Sequence, residues 1–97
     1  MIRHITLINF KADATQAQKE EALKAFQQLP QHIPGILEFH VGLDLGLLEG
    51  NASLAVQATF AKKEDFLAYS THEAHGSVIF PVCGPIMAGY STAQFEG

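Results

Sequence analysis

The first ten residues predict a β-strand that is apolar on both faces. The segment from Ile2 to Phe10 is rich in β-branched residues and follows the period of two that is typical of strands. One face carries Ile2, His4, Thr6, Ile8 and Phe10, and the other carries Arg3, Ile5, Leu7 and Asn9. Because both faces are partly apolar, the sheet that contains this strand needs cover on both sides.

The rest of the chain predicts two helices and three further strands. A helix begins after Asp13 or Thr15 and ends at Pro30, with its apolar positions at helical spacing. The other predicted segments are strands at 36–43, 53–60 and 86–95, and a helix at 62–69 that breaks near 70–72 and resumes to residue 80. The order β-α-β-β-α-β is that of a ferredoxin-like α+β sandwich, which makes residues 1–97 one domain.

Two helices on one side cannot cover the second face of such a sheet. That face is expected to be apolar, with Ile5 and Leu7 beside Leu37 and Phe39 or their opposites. Only 16% of the residues are charged, against a typical value of about 25%. A second copy of the chain is the simplest cover, and two sheets meeting across a twofold axis form a dimeric α+β barrel. We therefore expect a homodimer.

Composition argues against several classes of function. The net charge of −4, with scattered basic residues, predicts no nucleic-acid partner. There is no signal-peptide pattern, no apolar run of membrane-spanning length and no glycine-rich phosphate loop, so we expect a cytoplasmic protein without membrane or nucleotide-cofactor binding. Cys83, the only cysteine, is interpreted as a packed thiol. No cofactor is predicted.

Histidine is the side chain best suited to proton transfer near neutral pH, and three histidines are candidates. His4 lies on the first strand, while His72 lies at the predicted helix break after Tyr69 and His75 follows that break. A bend near Ser70 would let Tyr69 and His75 meet in one cleft. A lone histidine on an apolar face is more often a satisfied core group, which is the favoured interpretation of His4, and His72 is better interpreted as a brace at the break. Two histidines without nearby carboxylates make a weak metal site, so no metal is predicted.

Three segments together resemble a known family. They are Met1-Ile2-Arg3-His4, Ile33-Pro34-Gly35-Ile36 and Tyr69-x-x-His72-x-Ala74-His75. The combination is similar to the stress-responsive dimeric α/β barrel (Dabb) domain over nearly the whole chain. The resemblance implies a homodimer of ferredoxin-like subunits with a pocket between each sheet and its helices.

The same family includes plant polyketide cyclases of the olivetolic acid cyclase type. The resemblance implies that His75 is a general base for aldol closure, that Tyr69 assists it, and that His4 lines the pocket. The chain departs from the cyclase pattern at Phe26 and Leu54, where the cyclase has a pocket tyrosine and histidine, and at Glu73, where proline is more common.

Two functions follow as hypotheses. In the first, the chain is a stress-associated protein that binds a small, mostly apolar molecule without turnover. Besides Tyr69 and His75, the pocket residues expected for it are His4, Thr6, Ile8, Phe10, Leu23, Phe26 and His72. In the second, the chain is a lyase or cyclase that acts on an enolisable carbonyl compound with His75 as base and Tyr69 as partner. A barrel of the antibiotic-monooxygenase type would share the architecture, but no residue here argues for it.

Overall fold

The computed structural model describes all of residues 1–97 as an antiparallel sheet with helices packed on one face. The elements are β1 Ile2–Phe10, α1 Gln16–Gln27, α2 Leu29–His32, β2 Ile36–Leu43, β3 Leu54–Phe60, α3 Lys63–Ser70, α4 Phe80–Cys83 and β4 Met87–Glu96. A π-helical turn, His75–Ile79, precedes α4, and a 3₁₀ turn, Gly84–Ile86, follows it. The strand order is β2-β3-β1-β4. The predicted ferredoxin-like fold is confirmed.

The core lies between the sheet and the helices. Alternate side chains of β1, namely Ile2, His4, Ile8 and Phe10, are buried there, as the strand pattern predicted. The central pairing sets β1 between β3 and β4, with Thr6 opposite Val56 on one side and Thr92 on the other. The side chains on this face therefore converge on the helices from three strands at once.

α1 begins with a capping box. The Thr15 hydroxyl accepts a hydrogen bond from the Gln18 backbone N–H at 3.1 Å, and the Gln18 side chain accepts one from the Thr15 N–H at 2.8 Å. The sequence indicated that Pro30 ends this helix, but the structure shows that it does not. α1 ends at Gln27, and Pro30 lies in the first turn of the short α2, where its missing N–H costs nothing.

A β-bulge interrupts the alternation of β2 at Leu37. Ile36 pairs with Phe60 and Glu38 pairs with Thr59, so Leu37 is an extra residue without a partner in β3. Phe39 pairs with Ala58 and belongs to the helix-covered side, while Leu37 is exposed. Of the two alternatives for the uncovered face, the one that placed Phe39 there is wrong, and the residues that alternate with it are there instead. His40 pairs with Gln57, which is also opposite Ile5.

The side of the sheet away from the helices, which we call the open face, carries a groove of about 620 Å³. Ile5 and Leu7 of β1 form its floor together with Ala55 of β3. The loop between β2 and β3 borders it with Leu45 and Leu47, which are 83% and 78% exposed. None of the helices is both long enough and apolar enough to cross a membrane.

The capping box predicts a measurable loss of stability. Thr15→Ala should lower the free energy of unfolding by about 1 kcal/mol, because the Gln18 N–H loses its acceptor. Thr15→Ser keeps the hydroxyl and is the matched control. Chemical denaturation at one protein concentration measures the difference, and equal midpoints for the alanine and serine variants would contradict the assignment.

Candidate functional site

A second cavity, of about 420 Å³, lies between the sheet and the segment from α3 to α4. The residues that line it come from β1, β4, α1 and the segment from α3 to the turn after α4. They are His4, Thr6, Ile8, Phe26, Phe66, Tyr69, Ser70, His75, Ile79, Phe80, Cys83, Gly84, Met87, Tyr90, Thr92 and Gln94. No Asp, Glu, Lys or Arg is among them. Phe80 and Tyr90 are each 65% exposed and lie where the cavity meets solvent. The cavity is mostly apolar, with a few hydroxyl, imidazole and amide groups.

His4 is the polar centre of the floor. It is only 5% exposed, and both ring nitrogens are close to a hydrogen-bond partner. Nε2 lies 2.9 Å from the Thr6 hydroxyl, and Nδ1 lies 3.0 Å from the side-chain nitrogen of Gln94, the residue opposite His4 on β4. The ring of Phe66 covers it at 4.9 Å between centroids. Burial of this imidazole is therefore compensated on both nitrogens.

Tyr69 lies between the two histidines of the cavity. Its ring is 5.6 Å from that of His4 and 4.7 Å from that of His75 between centroids, both edge-on. The Tyr69 side chain is 4% exposed, and its hydroxyl has no hydrogen-bond partner in the chain. Since every fully buried side-chain nitrogen or oxygen has a partner, this hydroxyl keeps contact with the cavity space. The structure places Tyr69 next to His75, as predicted.

The break after α3 orients His75. The Ser70 and Thr71 hydroxyls both donate to the carbonyl of Leu67 in the last turn of α3, and that carbonyl also accepts from the Thr71 N–H. The chain then turns, and Nδ1 of His72 accepts a hydrogen bond from the Ala74 N–H at 3.0 Å. Ring nitrogen Nδ1 of His75 lies 3.4 Å from the carbonyl oxygen of His72. The resumed helix is a π-helical turn that begins at His75 rather than a continuous helix from residue 71. The Ala74 N–H, which a continuous helix would bond to the carbonyl of Ser70, is bonded to the His72 ring instead.

Both cavity histidines favour the neutral form. Burial, and secondarily repulsion from His75, lower the pKa of His4 from its ordinary value of 6.5. Burial also lowers the pKa of His75 from 6.5, and the hydrogen bond to the carbonyl of His72 offsets part of that shift. Burial raises the pKa of Tyr69 to about 12, so its hydroxyl stays protonated at neutral pH. Burial likewise raises the pKa of the Cys83 thiol.

The structure brings together six of the nine residues expected at the site. His4, Thr6, Ile8, Phe26, Tyr69 and His75 line the cavity. Phe10, Leu23 and His72 do not. Phe10 is a core residue at the bulged end of the β1–β4 pairing, Leu23 is part-buried on α1, and His72 braces the turn through its bond to Ala74. No three His, Cys, Asp or Glu side chains come close enough together to hold a metal ion.

Sequence reasoning missed the contribution of β4. Gln94, Thr92 and Tyr90 line the cavity because they pair with His4, Thr6 and Ile8. Their alternation along β4 was visible as a period of two, but only the register with β1 shows which face they occupy. Phe66 of α3, which covers His4, was not among the expected site residues either.

Comparison with known proteins identifies the class. The fold is shared with a dimeric ferredoxin-like protein of unknown function from Thermobifida fusca YX, which is 33% identical with a TM-score of 0.86, over 99% of this chain and 90% of that one. The pattern of the stress responsive A/B barrel domain (Dabb) family matches residues 2–96. The chain belongs to the Dabb family.

Two curated relatives are similar over much of their length. Olivetolic acid cyclase from Cannabis sativa is 32% identical over 77 residues, which are 76% of this chain and 75% of the cyclase. The stress-response A/B barrel domain-containing protein HS1 from Arabidopsis thaliana is 29% identical over 76 residues, which are 76% of this chain and 70% of HS1.

The electrostatics of the site predict how its histidines titrate. His75 and His4 should titrate with midpoints below 6.5, since burial disfavours the charged ring. The unfolded chain binds these protons first, so both groups make folding less favourable as the pH falls below 6.5, down to the folded-state pKa values. Histidine ring signals followed by NMR over a pH series measure the midpoints. A His75 midpoint at or above 6.5 would contradict the assignment.

Proposed function

We propose that the cavity binds a small, uncharged and mostly apolar molecule. The observation that carries this proposal is a cavity of about 420 Å³ whose lining contains no formally charged Asp, Glu, Lys or Arg side chain. A charged ligand would lose its hydration there without gaining an ion pair. An apolar ligand gains from burial against Ile8, Phe26 and Met87, and the few polar groups can orient it.

Methionine methyl groups offer a direct test. The chain has two methionines, of which Met87 lines the cavity and Met1 is exposed outside it. Acetophenone, an uncharged apolar ketone, should shift the Met87 methyl signal saturably, with a dissociation constant on the order of 1 mM or below. The Met1 signal is the internal control. No saturable shift at Met87, or equal shifts at both methionines, would contradict the proposal.

Proton abstraction from a carbonyl compound is a second candidate, and the imidazole of His75 favours it. A carbonyl oxygen only accepts hydrogen bonds, so the contact with His72 puts the proton of neutral His75 on Nδ1 and leaves a lone pair on Nε2. That nitrogen could take a proton next to a ligand carbonyl, and the electron pair of the broken C–H bond would form an enolate. The protonated Tyr69 hydroxyl could donate to the enolate oxygen. Similarity to a cyclase supports this candidate.

Deuterium exchange tests the second candidate without knowledge of the natural substrate. In D₂O, the protein should exchange the methyl protons of acetophenone faster than buffer does. His75→Gln should slow the protein-dependent rate by roughly 100-fold, the size typical of losing a general base. His32→Gln, which changes an exposed histidine of α2, is the matched control. Exchange at the buffer rate, or equal rates for the two variants, would remove proton abstraction and leave binding untouched.

A homodimer through the open face is part of the proposal. The supporting observations are the groove beside Ile5 and Leu7, the exposed leucines that border it, and the dimeric state of the Thermobifida fusca relative. A second copy would remove this apolar surface from water.

The open face can be tested with one charged substitution and a matched control. Leu47→Asp should raise the dimer dissociation constant about tenfold or more, since a carboxylate would be buried against apolar side chains. Leu67→Asp changes an exposed leucine on α3 and should leave the association unchanged. Sedimentation at micromolar concentration distinguishes them. A monomeric unmodified protein would contradict the proposal.

A further inference from the structure

The hydrogen bonds of His4 define which of its nitrogens carries the proton. The side-chain nitrogen of Gln94, 3.0 Å from Nδ1, can only donate, so Nδ1 accepts. Burial keeps the ring neutral, and a neutral imidazole has a single N–H. That proton is therefore on Nε2, where the Thr6 oxygen accepts it at 2.9 Å.

This assignment leaves the Thr6 hydroxyl proton free. The Thr6 oxygen makes no other hydrogen bond in the chain, and the side chain lines the cavity. A hydroxyl that already accepts from an imidazole N–H is also a better donor, because successive hydrogen bonds polarise one another. The hydrogen-bonded row from Gln94 through His4 to Thr6 thus ends in an O–H donor at the cavity floor.

The sheet register holds this row in position. His4 and Gln94 are directly opposite each other in the β1–β4 pair, and Thr6 is two residues from His4 on the same face. The ring of Phe66 lies against His4 at 4.9 Å between centroids and limits rotation of the imidazole. The donor is therefore built into the strands rather than carried by a mobile loop.

We propose that the Thr6 hydroxyl is a ligand-binding donor that selects molecules with an acceptor oxygen, such as ketones, aldehydes and esters, and that Gln94 and His4 are its positioning residues. This inference rests on the proposed function of the cavity and names the ligand class for it. It gives His4 a role in binding rather than in proton abstraction. A hydrocarbon of equal shape would enter the cavity but leave the Thr6 proton without a partner.

Two ligands of similar shape isolate the hydrogen bond. Acetophenone has an acceptor oxygen and ethylbenzene has none, and the Met87 methyl signal reports both. The unmodified protein should prefer acetophenone. Thr6→Val, which replaces the hydroxyl with a methyl, should reduce that preference by about five- to tenfold with little change for ethylbenzene. Thr6→Ser should retain it.

Gln94→Met tests the positioning role. Methionine has a similar length but no amide, so His4 can move its proton to Nδ1 and Thr6 can turn its own proton toward Nε2. Long-range ¹H–¹⁵N NMR should show the Nε2–H form in the unmodified protein and a mixture of the two forms in the variant, together with a lower preference for acetophenone. Gln31→Met, an exposed position on α2 away from the cavity and the open face, is the matched control and should change neither readout.

The outcomes separate the two proposals. If neither compound shifts Met87 in the unmodified protein, the proposed binding function fails and this inference with it. If both compounds bind and Thr6→Val keeps the preference for acetophenone, only the inference is overturned. An Nδ1–H form of His4 in the unmodified protein overturns the inference as well. That measurement does not depend on whether any variant folds.

Discussion

The buried imidazole of His4 is the constraint on which the candidate site depends. A polar ring on the covered side of a central strand is costly unless both nitrogens are satisfied. Gln94 and Thr6 meet that requirement from β4 and β1, and Phe66 and Tyr69 cover the ring. The same contacts bring α3 over β1 and place Tyr69 beside His75. Satisfying one core histidine thus assembles the polar side of the cavity.

The two faces of the sheet carry different features. The covered face contains the core and the cavity, while the open face presents a groove bordered by exposed leucines. Since the open face lies on the opposite side of the sheet from the cavity, a substitution on one face tests the proposed dimer without changing the proposed ligand cavity. The low fraction of charged residues, 16%, is consistent with a chain that has apolar surface to bury on both sides of its sheet.

The fold and part of the site were predictable because they follow from local patterns. The alternation of β1 defined which side chains are buried, and the predicted bend near Ser70 indicated that Tyr69 and His75 could meet. Features that depend on pairing were not predictable. The bulge at Leu37 and the face that each residue of β2 occupies are seen only in the β2–β3 register, and Gln94 joins the site only through the β1–β4 register. From the sequence, Pro30 was expected to end a helix. It lies instead in the first turn of the short α2, where a residue without an N–H is tolerated.

A crystal structure of the protein soaked with acetophenone tests the central claim most directly. Our account predicts electron density for one molecule in the cavity between the sheet and the helices, with its carbonyl oxygen within hydrogen-bond distance of Oγ1 of Thr6 or the hydroxyl of Tyr69. Density confined to the open face or to surface contacts, with the cavity filled by water alone, would contradict it.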